Sequence, residues 1–91
     1  MASPATAAIS TTESEAILQT EVERAQSREA TATDRYWKLL AMLTHDDPTP
    51  DDLDNLVNAG RLKVAARQAL WEALAKLDEF RRAELRVRAA R

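Results

Sequence analysis

The sequence has no cysteine, one histidine and one glycine among its 91 residues. Without cysteine, disulfides and thiolate metal sites are excluded, and a lone His45 cannot complete a zinc ligand set. Aromatic and β-branched residues are few, which argues against a β-sheet. A chain this short buries a modest core, so the route to added stability that remains is self-association or docking on a partner.

Motifs that carry chemistry are absent as well. The sequence contains no glycine-rich phosphate loop, no nucleophile elbow and no histidine arranged to activate a serine. One acidic segment offers oxygen ligands: His45, Asp46, Asp47, Asp51, Asp52 and Asp54. Its spacing does not fit a calcium-binding loop, and helix capping with solubility accounts for it. We therefore expect no enzyme, no cofactor and no metal site.

Long apolar runs are also missing, so we expect no membrane-spanning segment and no secretory signal. Residues 1–10 are small and polar and predict a flexible tail, followed by a single helical domain at 11–91. We expect a cytoplasmic protein. The excess of arginine over lysine, together with the alanine content, hints at a GC-rich bacterial or phage genome.

Good helix formers dominate what is present, namely alanine, leucine, glutamate and arginine. A first helix is predicted at about 12–44, because apolar residues recur at alternating spacings of four and three, as in a coiled coil. That row is Leu18, Val22, Ala25, Glu29, Ala32, Tyr36, Leu39 and Leu43. Either Ser10 with Glu13 or Thr12 with Glu15 fits a capping box at its start. The stretch 26–33, whose only apolar residues are alanines, leaves a break or kink open.

Two further helices are predicted after Pro48. Thr49 fits an N-cap, Pro50 a first helical position, and a short helix at about 50–59 would end with Gly60 as a left-handed C-cap. A last helix is predicted at about 64–88, with its apolar residues within one arc. That arc contains Leu62, Ala66, Ala69, Leu70, Ala73, Leu74, Leu77, Phe80, Leu85 and Val87.

Charge is distributed unevenly, with a net charge of −7 over residues 1–60 and +5 over 61–91. The two clusters are Glu13, Glu15, Glu21 and Glu23 at one end, and Arg81, Arg82, Arg86 and Arg88 at the other. An antiparallel hairpin would bring them side by side, and the same complementarity could act between chains in a dimer or four-helix bundle. The second interpretation is a binding surface for phosphates or an acidic protein.

The fold class predicted is therefore all-α: an antiparallel hairpin of two long helices with a short capped connecting helix, coiled-coil-like and self-associating. The candidate interface residues are Leu18, Val22, Tyr36, Trp37, Leu40, Leu43, Leu70, Trp71, Leu74, Leu77 and Phe80. The aromatic members among them either close the core or form a recognition patch.

The function predicted is a non-catalytic protein–protein interaction or assembly module, meaning an adaptor, inhibitor or small structural subunit. Its partner would be a protein, first of all another copy of the chain. The alternative is a small DNA-binding regulator that uses the Arg61–Arg67 helix or the arginine-rich C-terminal end. Arg61, Lys63, Arg67 and Gln68 are the residues that such a recognition helix could use. Nucleic acid is disfavoured because the chain is acidic overall and has few stacking aromatic residues.

Overall fold

The structure, a computed structural model, describes residues 4–45 and 47–90, and side chains from residue 13 onward. Within these residues it has two α-helices, α1 at Pro4–Leu43 and α2 at Pro50–Ala89. They pack side by side and antiparallel into a rod of 69 × 20 × 15 Å. The all-α class and the helical hairpin are confirmed.

Helix α1 begins earlier than the sequence suggested. It starts at Pro4, within the segment for which the sequence predicts a flexible tail, while residues 1–3 lie outside the described part. Ser10 and Thr12 lie inside the helix, so neither capping box starts it. Proline is tolerated in a first turn and alanine is the best helix former, which together extend the helix through this segment.

The weak middle of α1 is continuous helix. Residues 26–33 show no break, and Thr33 Oγ1 donates to the Glu29 carboxylate at 3.2 Å. That bond places a polar pair where the predicted apolar row is weakest. Helix α1 ends at Leu43, close to the expected position.

Thr49 caps α2 as predicted. Its hydroxyl accepts from the Asp52 amide at 3.2 Å, and the Asp52 carboxylate accepts from the Thr49 amide at 3.0 Å. This reciprocal pair is a capping box, with Thr49 as the N-cap and Asp52 at the third helical position. Pro50 lies between them in the first turn. The expected stop and restart around Pro48 is therefore present.

The short connecting helix and its end at Gly60 are wrong. Helix α2 runs unbroken through Gly60 to Ala89, and no described residue has a positive φ. Gly60 lies beside the Tyr36 ring, where an added Cβ would make ordinary contact at 3.5 Å with Cε2. With good helix formers on both sides, one glycine costs about 1 kcal/mol, too little to end a helix that packs along its length.

Candidate interaction surface

The two helices meet along one row each, and we call these the inner rows. On α1 the inner row is the predicted one, Leu18 to Leu43 at spacings of three and four, extended back to Glu15. The inner row of α2 is Leu56, Ala59, Lys63, Ala66, Leu70, Ala73, Leu77, Phe80 and Glu84, none of which is exposed. Both rows keep a seven-residue period along the contact.

The densest packing lies in the half of the rod away from the connection. Val22, Ala25, Ala73 and Leu77 form a buried cluster, with Leu18 and Leu70 against it. We call this group the buried cluster. Ala59 is the one other buried residue among the described side chains. Alanine on both helices lets the two backbones approach closely, but leaves a small core.

The structure divides the predicted interface residues into three groups. Val22 and Leu77 are buried; Leu18, Tyr36, Leu40, Leu43, Leu70 and Phe80 are partly buried; Trp37, Leu74 and Trp71 are exposed. Tyr36 packs inside the hairpin, whereas Trp37 and Trp71 point outward with 55% and 65% of their surface accessible. The aromatic residues thus differ in exposure, with Tyr36 and Phe80 partly buried and the two tryptophans exposed.

A small aromatic site surrounds Lys63. Its Nζ lies 4.8 Å from the Tyr36 ring centroid and 5.5 Å from that of Trp37, and the two rings meet edge to face. A cation held over two rings is stabilised by their negative faces while remaining near water. Lys63 is among the residues that a DNA-recognition helix could use, but here it faces α1. The signal for this was its spacing with Leu56, Ala59 and Ala66, which continues the inner row of α2.

A second row on α2 lies about 100° around the helix from its inner row. We call it the outer row. It consists of Leu53, Val57, Gly60, Val64, Arg67, Trp71, Leu74, Asp78, Arg81 and Leu85. Its spacing again alternates between four and three, and every member except Gly60 is exposed. Six of its members are large apolar residues, so α2 carries two apolar seams and α1 covers one.

The opposite side of the hairpin is the more polar one. There a groove brings Glu21, Arg24 and Arg28 of α1 next to Glu72 and Lys76 of α2. On α2, Glu72 and Lys76 lie next to the inner row, on the flank opposite the outer row. Each outer-row residue follows an inner-row residue of α2, and Trp37 follows the inner-row residue Tyr36 of α1. Because the helices are antiparallel, these two flanks lie on the same side of the hairpin, so Trp37 lies on the same side as the outer row. The side with the groove carries more charge than the side with the outer row, although Ile17, Met42 and Leu62 are exposed on it.

One of the predicted charge contacts joins the helices. Arg81 Nε lies 3.0 Å from Glu15 Oε1, whereas Arg82 pairs with Asp78 of its own helix. Arg86 and Arg88 lie in the last turn of α2, where they favour the negative helix end. Glu13, Glu21 and Glu23 are exposed. Because α1 begins at Pro4, the glutamates do not lie in its first turn and gain little from its dipole.

The acidic connection has a structural role. Asp52 is tied to the cap, and hydrogen bonding to Thr49, first of all from the Thr49 backbone amide, lowers the pKa of its carboxyl. Asp46 lies outside the described residues. Across the described part of the chain, no three acidic or histidine side chains come together as metal ligands would.

Over the same residues, neither helix has an apolar stretch long enough to cross a membrane. No protein-family description, no curated protein and no solved structure matches this chain.

Proposed function

We propose that this protein is a non-catalytic helical interaction or assembly module, acting as an adaptor, inhibitor or small structural subunit. The observation that carries the proposal is the balance between covered and exposed apolar surface. Five described side chains are buried, whereas eleven large apolar ones are exposed. Exposed apolar residues are ordinary when scattered, but six of them aligned along one face of α2 are typical of a contact surface.

The mechanism is helix packing. Rows with a seven-residue period favour coiled-coil-like association, in which side chains of one helix fill the spaces of another. Helix α2 has such a row on its outer side, and Trp71 at its centre belongs to a residue type enriched at interface hot spots. The more charged opposite side keeps the rod hydrated while the side with the outer row docks.

Catalysis has little support in the geometry. Two side-by-side helices build open grooves, not enclosed cavities that would perturb a catalytic group. Among the described residues, the two groups whose pKa is shifted are exposed, and a neighbouring residue explains each shift. Hydrogen bonding and charge from Asp34 raise the pKa of Lys38, and the α2 cap lowers that of Asp52.

A DNA-binding regulator is the competing function. Arg61 and Arg67 are exposed, but the arginine-rich end is partly neutralised, since Arg81 and Arg82 are paired with carboxylates. Phosphate binding would have to compete with those pairs. The arrangement thus favours protein contact over nucleic acid.

The deciding experiment is absolute mass by light scattering after size exclusion, at several protein concentrations and in low and high salt. We expect a mass above that of one chain that rises with concentration, together with negligible binding to duplex DNA. A monomer at every concentration that binds duplex DNA, with affinity falling steeply as salt rises, would instead establish the regulator, because phosphate binding releases counterions.

A further inference from the structure

We propose that the outer row of α2 is the docking site for a second copy of this chain, with the two α2 helices antiparallel and the two-fold axis at the level of residue 69. The proposal rests on the proposed function and deepens it, since it names the partner and the register. The contact would be the same patch on both chains, as two-fold symmetry requires.

The outer row is symmetric about its own midpoint. Its ten positions run from Leu53 to Leu85, so a two-fold at residue 69 matches each position with another member of the row. The five matched pairs are Leu53 with Leu85, Val57 with Arg81, Gly60 with Asp78, Val64 with Leu74, and Arg67 with Trp71. This works because the spacings along the row, four and three in alternation, are the same when read from either end. In a row with unequal spacings, some members would lie opposite residues that do not belong to the row.

Three of the five matched pairs have complementary chemistry. Leu53 with Leu85 and Val64 with Leu74 bury apolar surface on both sides of the axis. Arg67 meets the face of an indole twice, once on each chain, and arginine over tryptophan is a favourable contact. Asp78, opposite Gly60, already has its carboxylate paired with Arg82 of its own helix.

The ends of α2 are complementary in charge as well. Asp51 and Asp52 lie in its first turn and Arg86 and Arg88 in its last. In the antiparallel register the acidic first turn of one α2 lies level with the basic last turn of the other, and this happens at both ends. A parallel register would instead stack Arg67, Asp78 and Arg81 on their own copies, so like charges would repel along the row.

The available surface is large enough for a stable dimer. The outer row spans about 48 Å at 1.5 Å per residue, and the rod is 15–20 Å across. The product is about 700–950 Å² per chain, which matches the roughly 800 Å² per partner of a standard interface. The result would be a four-helix bundle with Trp37 on the covered side.

Cross-linking tests the register directly, because the chain has no cysteine of its own. Val64→Cys and Leu74→Cys are made on separate chains, mixed in equal amounts and oxidised. The two thiols face each other across the proposed contact, whereas identical positions lie about 15 Å apart along the rod. A disulfide needs Cα atoms within about 7 Å, so the mixture should cross-link and each variant alone should not.

A matched pair of charge variants tests the surface. Val64 and Leu62 are almost equally exposed in the hairpin, at 58% and 55%, but Leu62 lies on the other flank of α2. We expect Val64→Glu to weaken dimerisation by at least about 100-fold, since each dimer would bury two unpaired carboxylates. Leu62→Glu should stay within about threefold of the native chain, and circular dichroism should show unchanged helix content for both.

Each outcome has a distinct meaning. Cross-linking between identical positions, with a dimeric mass, would overturn the antiparallel register and leave the interaction function standing. A dimer equally weakened by both glutamate variants, or by neither, would overturn the outer row as its site. A monomer throughout, with no cross-link in the mixture, would overturn the second copy as occupant and with it the self-association in the proposed function.

Discussion

Gly60 provides the sharpest test at the scale of single residues. It lies in unbroken helix beside the Tyr36 ring, and an added Cβ would make ordinary contact at 3.5 Å. Alanine loses less backbone entropy than glycine on entering a helix. We therefore expect Gly60→Ala to raise the free energy of unfolding by about 0.5–1 kcal/mol, measured by urea unfolding at one fixed protein concentration.

Gly60→Asn is the informative companion to that substitution. Asparagine is tolerated in left-handed caps but is a poor residue for a helix interior. If α2 ended at Gly60, alanine would destabilise the protein and asparagine would be the better replacement. The opposite order supports one continuous helix.

Individual residues show what the sequence could predict and what it could not. The Thr49 cap and Pro50 were predicted correctly because their effect is local. Gly60 and Lys63 were misjudged because their roles depend on Tyr36, a residue more than twenty positions away. Propensity describes what a residue prefers, whereas packing determines what it does when the preference is small.

At the scale of one element, the start of α2 should make stability depend on pH. The folded pKa of Asp52 is lowered below its ordinary value of 3.8 by the hydrogen bonds with Thr49. Its stabilising contribution is thus present in full above that ordinary value and is lost as pH falls through the lowered pKa. Relative to Asp52→Asn, the native chain should lose stability over this acidic range, which urea unfolding from pH 7 to pH 2.5 would show.

Asp54→Asn is the control for that comparison, because Asp54 lies outside the capping box. Its unfolding curve should follow the native pH dependence more closely than that of Asp52→Asn does. Parallel pH profiles for the native chain and Asp52→Asn would mean that the cap contributes nothing in solution.

The elements themselves were only partly predictable. Composition and the apolar period predict that both long helices exist. They did not predict where α1 starts. Two capping boxes near residues 10–15 were plausible, yet a capping sequence is used only where the helix has not already begun upstream. Since Pro4 and the alanines after it favour helix, both motifs became ordinary interior positions.

For the whole molecule, the ion pair between Glu15 and Arg81 tests the antiparallel arrangement. We expect a double-mutant cycle with Glu15→Gln and Arg81→Gln to give a coupling free energy of about 0.2–1 kcal/mol, the range for exposed pairs. The measurement is urea unfolding of the native chain, both single variants and the double variant at low salt.

Arg82→Gln provides the matched control, because Arg82 pairs with Asp78 within α2. Its cycle with Glu15→Gln should show no coupling. Equal coupling for both arginines would indicate a diffuse charge effect in place of the specific contact, and zero coupling for Arg81 would leave the register without support from this pair.

The hairpin as a whole was predictable from the charge asymmetry and the apolar periods. The division into a more charged side and a side with the exposed apolar row was not, because it requires knowing which of the two rows on α2 faces α1. The apolar arc drawn from the sequence mixed both rows: Leu70 and Leu77 face α1, whereas Leu74 and Leu85 face away. Placing one residue, Tyr36 against Gly60, settles the rotation of the helix.

The position of the buried cluster has a consequence for how the chain opens and closes. Val22 and Ala73 each lie about 35 Å from the connection, at 1.5 Å per residue. The amides that exchange most slowly with deuterium should therefore surround these residues and not the turn. Because the two halves of the cluster align only when the intervening helix has formed, the folding rate should respond to helix propensity at 26–33. The weakest stretch of α1 would then determine how fast the hairpin closes.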